Sequence, residues 1–136
     1  MQNHRLFGIC LLLAACGGPL KYSIPSSPKA PGADAELVAD VRDDQNQTQL
    51  EMEVTNLAPP DRIANDATSY VAWFRKSPET VWSRIGSVAY DADKRKGEFT
   101  GTVPELAFDF EVTAETVDSA ASPSGNVIFN QRVAKK

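Results

Sequence analysis

From Ala35 onward, apolar and polar residues alternate with a period of two, the pattern of strands that bury one face. Ala35, Leu37, Ala39 and Val41 share one face, and Glu36, Asp40 and Arg42 lie on the other. Asp43-Asp44-Gln45-Asn46 reads as a turn. Leu50, Met52 and Val54 then alternate with Gln49, Glu51, Glu53 and Thr55, an antiparallel partner for the first strand. Pro59-Pro60 ends that strand, because proline donates nothing to a ladder. Residues 70–75 are apolar or aromatic on both faces and predict a central strand; residues 80–90 predict another, interrupted near Gly86. Phe99, Gly101 and Val103 mark a fifth strand, ended by Pro104. Phe108, Phe110, Val112 and Ala114 alternate with Asp109, Glu111, Thr113 and Glu115, and Val127, Phe129, Gln131 and Val133 mark a closing strand. About seven short strands separated by turn signals predict an all-β domain over residues 35–136, an antiparallel β-sandwich. A small closed barrel satisfies the same periodicity.

Before residue 35 the alternation is not evident. Pro19, Pro25, Pro28 and Pro31 stand among Gly, Ser, Lys and Ala, so residues 16–34 read as a flexible tether reaching up to roughly 50 Å. Ahead of it, a short polar start with Arg5 precedes a ten-residue apolar run from Leu6 to Ala15, too short to span a bilayer and laid out like a secretory signal. Leu13-Ala14-Ala15-Cys16, followed by Gly17-Gly18, resembles the lipobox of bacterial lipoproteins. That resemblance implies removal of residues 1–15 and a diacylglycerol thioether on Cys16, whose several acyl chains give stable anchoring (palmitate among them). Gly17 is not the Asp that holds members of that family at the inner membrane, so the expected location is the outer membrane if the host is Gram-negative.

Composition then narrows the chemistry. The 136-residue chain carries a formal net charge of −4, which argues against a nucleic-acid partner. Its single His is His4, and its two Cys are Cys10 and Cys16. Once the signal is removed and Cys16 acylated, no Ser-His-Asp or Cys-His system, no Cys/His zinc site and no disulfide can be assembled. The expected sandwich is therefore immunoglobulin/fibronectin-like without the immunoglobulin disulfide, and the sequence predicts no metal and no cofactor.

Asp91-Ala92-Asp93-Lys94-Arg95-Lys96 starts like a calcium loop, but cations occupy the positions that need oxygen ligands, so it predicts a hairpin turn with a charged tip. Paired carboxylates remain the route to catalysis: Glu51 with Glu53, and Asp109, Glu111 and Glu115, spaced for glycoside chemistry. Alternating acids equally describe the solvated face of an antiparallel strand. Trp73 reads as core. Trp82, Tyr90, Lys94, Arg95 and Lys96 make the candidate binding surface, able to stack on a sugar or hold an acidic partner. Tyr70-Val71-Ala72-Trp73, Gly86, Phe110-Glu111-Val112-Thr113-Ala114-Glu115 and Pro123-Ser124-Gly125-Asn126-Val127 resemble the extracytoplasmic sandwich domains of some membrane anti-sigma factors. The sigma-binding segment and spanning helix of that family have no counterpart here, so the resemblance implies the domain type alone. The expected function is a non-enzymatic, lipid-anchored envelope module that binds or supports a protein or glycan. A carbohydrate-binding or carboxylate-dependent carbohydrate-active protein and a small periplasmic chaperone or inhibitor presenting a sheet edge are the alternatives.

Overall fold

The computed structural model describes residues 18–136. The expected signal, the lipobox through Cys16, and His4 and Cys10 lie outside the described residues. Eight antiparallel strands form a single sheet: β1 (Leu20–Pro25), β2 (Asp34–Arg42), β3 (Gln47–Thr55), β4 (Ser69–Arg75), β5 (Ser83–Asp91), β6 (Lys96–Val103), β7 (Phe108–Glu115) and β8 (Val127–Val133). Their spatial order is β1-β2-β3-β6-β5-β4-β7-β8.

This is a nearly closed, barrel-like sheet rather than a sandwich of separate sheets. The edge strands β1 and β8 face each other across a seam bridged by the backbone N–H of Ser27 to the Ile128 carbonyl (2.9 Å) and its hydroxyl to the Val127 carbonyl (2.7 Å). Tyr22 spans the same seam, its hydroxyl donating to the Ala134 carbonyl and accepting from the Ala134 N–H. The two edges are thus joined at these points without a continuous ladder between β1 and β8.

The seven strands expected from period two are all present, and their inward faces match: Leu37, Leu50, Met52, Val54, Phe99, Phe108, Phe110 and Val112 are buried in one core. The eighth corrects the domain boundary. Leu20, Tyr22 and Ile24 alternate with Lys21, Ser23 and Pro25, and β1 pairs with β2 along its whole length. Proline is compatible with this strand because β1 is an edge, with one side free of ladder bonds. Ala30 and Ala33 are buried as well, so residues 20–34 belong to the barrel and are not a tether. Only Gly17, Gly18 and Pro19 separate Cys16 from β1, a reach of about 14 Å at most instead of 50 Å.

The barrel has two ends, about 30 Å apart along the nine-residue β2. One carries the start of β1, the short 3₁₀ turn Asp43–Gln45, the β4–β5 connection and the C-terminus. The other carries residues 26–33, the one-turn helix α1 (Pro60–Ile63), the β5–β6 hairpin tip and the β7–β8 connection.

Candidate functional site

The expected binding surface is divided between these ends. Trp82 precedes β5 and Tyr90 lies near its far end, about 26 Å along the strand. Trp82 is half-buried, with the Arg75 guanidinium 4.4 Å above its ring; Arg75 also donates to Asp109 at 2.9 Å. Tyr90 is scaffold. Its hydroxyl donates to the Leu57 carbonyl at 2.7 Å, and its ring packs edge-on against Tyr70, whose own hydroxyl donates to Ala58. Burial pushes both phenols above their ordinary pKa, so both remain protonated donors holding the β3–β4 connection. Lys94 and Lys96 line a shallow depression beside Tyr90 with Asp91 and Glu98. Asp91 is engaged there by the N–H groups of Asp93 and Lys94, the hairpin turn that the charge pattern predicts.

The structure places the carboxylates in different settings. Glu51 and Glu53 are exposed on β3, and Glu53 sits 3.5 Å from Lys96. The groove that contains Glu51 also holds Asp40, Gln49, Thr100 and Thr102, with no aromatic ring in its lining. Asp109 is paired with both Arg75 and Arg132. Glu111 and Glu115, expected on a solvated face, are each only 5% exposed. Trp73, expected in the sandwich core, is fully buried on this same outer face, opposite Glu111.

These groups form a bonded chain. The Trp73 Nε1–H donates to Thr113 Oγ1 (2.8 Å), and Thr113 donates on to Glu115 Oε2. The same oxygen accepts from the backbone N–H and hydroxyl of Ser124, both at 2.9 Å. Ser124 lies in the β7–β8 connection, which folds back over the outer face and is also held by Arg84 donating to the Asp118 carbonyl. Glu111 is held less firmly, by Asn130 at 3.5 Å. Desolvation raises its carboxyl pKa, with the Asn130 bond and Arg75 opposing.

The structure assembles a different site at the end carrying the hairpin tip. Residues 29–33, the start of the β3–β4 connection with α1, and the β5–β6 hairpin surround a cleft of about 580 Å³. Lys29, Arg62 and Arg95 are among its lining, with the apolar Pro31, Pro59 and Ile63. Among the described residues, none of the three cations has a carboxylate within 4.0 Å. Lys29 donates to Asn126 Oδ1 at 3.0 Å, and the Arg95 carbonyl accepts from the Leu57 N–H at 2.9 Å. Of these cations only Arg95 stands out in the sequence. Lys29 falls in the segment read as a tether, and Arg62 in an unassigned connection. The single local signal is Pro60-Asp61-Arg62, where proline opens a helical turn. No protein-family model, curated protein or solved structure matches this chain.

Proposed function

We propose that this chain is a lipid-anchored bacterial envelope protein whose barrel is a non-enzymatic binding module, at the outer membrane if the host is Gram-negative. One observation supports the reading: the site and the expected anchor lie at opposite ends of the barrel. Cys16 stands four positions before Leu20, so an acylated chain enters at the end bearing the Asp43–Gln45 turn. The cleft lined by Lys29, Arg62 and Arg95 opens at the other end, a strand length away from the anchor. A tether of three residues keeps the barrel close to the bilayer and leaves its cationic cleft facing away from it. Among the described residues, three cationic side chains with no carboxylate within 4.0 Å line this cleft, and unpaired charge in a concave site is what recognition uses.

Cys16→Ala in the native host tests the anchor. The parent chain is expected in the membrane fraction and the variant in the soluble fraction of the envelope. Equal membrane partition of the two overturns the anchored reading.

A further inference from the structure

We infer that the cleft between residues 29–33, α1 and the β5–β6 hairpin is a binding site for a compact polyanion of the phosphate type. This deepens the binding-module reading and rests on it; it does not depend on the lipid. Three cationic residues line one concavity, Lys29 with its ammonium on Asn126, and two are arginines, whose planar fork pairs with two oxygens of a phosphate at once. A single carboxylate would compensate one of three positive charges, whereas a diphosphate group or a pair of neighbouring phosphates compensates most of them. The cleft is larger than such a group alone and falls within the range of small-molecule sites, about 300–1,000 Å³. Pro31, Pro59 and Ile63 offer an apolar wall for whatever the phosphates are attached to.

The nearby acids form no ion pair with these cations. Asp91 is occupied by the turn amides, and Asp61, Asp91 and Asp93 all lie beyond ion-pair distance of the three cations.

A separate observation singles out Arg95. It sits at the end of the hairpin turn with φ +52°, the left-handed region that costs a side chain free energy and that glycine enters freely. Asn56, also in the cleft lining, has φ +56°. A hairpin needing this conformation alone is best served by glycine at position 95. An arginine there places a guanidinium at the cleft despite the backbone cost, as strained residues at ligand sites do.

That geometry separates binding from folding experimentally. Arg95→Gly removes the cation and relieves the backbone, so its melting temperature is expected to equal or exceed that of the parent. The purified full chain in detergent micelles would be titrated with inorganic pyrophosphate by calorimetry. The parent is expected to bind saturably and more weakly as salt rises. Arg95→Gly and Arg62→Gln are each expected to lose about tenfold or more in affinity. Absence of saturable binding, or unchanged affinity in both variants, overturns the site. Tighter binding of a poly-glutamate peptide than of pyrophosphate overturns the ligand class. Vesicles bearing a diphosphate headgroup distinguish the source: a site facing away from its own membrane binds pyrophosphate in solution and leaves the headgroups of the bilayer that anchors it uncontacted. Because the calorimetric readouts do not require acylation, their failure is separable from failure of the Cys16→Ala fractionation.

Discussion

Strands β3 and β7 have nearly the same written pattern and opposite fates. Gln-Leu-Glu-Met-Glu-Val on β3 gives alternate buried and exposed positions, with Glu51 and Glu53 in solvent. Phe-Asp-Phe-Glu-Val-Thr-Ala-Glu on β7 is buried on both faces for most of its length. The difference comes from outside the strand: the β7–β8 connection returns over the outer face of β4 and β7 and seals Trp73, Thr113 and Glu115 beneath it. Polar residues on β3 face water and cost little. On β7 they must satisfy one another, because an unpaired buried polar group costs about 1–3 kcal/mol. A barrel wall is therefore solvated or sealed according to what its loops do, not according to its own alternation.

Substitutions on the two walls should show this asymmetry. The largest effect is expected on the side the walls share. Phe110→Asp puts a charge at a fully buried core position packed against Phe99, and should cost at least about 3 kcal/mol or prevent folding. Near-parental denaturant unfolding of that variant would mean the inward register is wrong. Next comes the contrast itself. Thr113→Val strands the Trp73 indole N–H and removes one of the donors to Glu115, with an expected loss of about 1–3 kcal/mol, whereas Glu51→Gln on the open wall should stay within about 0.5 kcal/mol. Equal losses in chemical denaturation would abolish the distinction between the walls.

The smallest effect concerns pH. Burial raises the Glu111 carboxyl above its ordinary value of 4.5, so the folded state holds this proton more tightly than the unfolded chain. Between 4.5 and the raised value the folded state binds more protons, and stability contributed by this group falls as pH rises. Glu111→Gln should remove that fall, leaving a variant at least as stable as the parent at pH 7, with the difference fading below pH 4.5. A variant whose stability still declines with the parental slope across that window would show that Glu111 is not the group responsible.

How far the site could be read from sequence follows the same division. Tyr90, Lys94, Arg95 and Lys96 were legible as a charged hairpin because a turn is local: its Asx bonds and charged tip lie within six residues. Trp82 was legible as an interesting side chain but not as remote from them, since the eight-residue offset along β5 places it at the other end of the barrel. Lys29 and Arg62 carried no signal of a site. Their meeting with Arg95 depends on three connections that are distant in sequence and adjacent only where the strands end together. β1 was hidden for another reason: its three alternating apolar residues sit among prolines that would exclude them from a central strand but not from an edge.

The sequence alone determined which residues of β2, β3, β6 and β7 face inward, that neighbouring strands run antiparallel, and where chain reversal occurs at residues 43–46. Each of these follows from short-range rules of alternation and turn chemistry. Only the tertiary structure decided that the sheet nearly closes, that the supposed tether supplies its first strand, that one wall is sealed, and that three scattered cations surround one cleft. Those outcomes require groups far apart in the chain to find each other. Period two specifies a strand's two faces and carries no information about what will cover them.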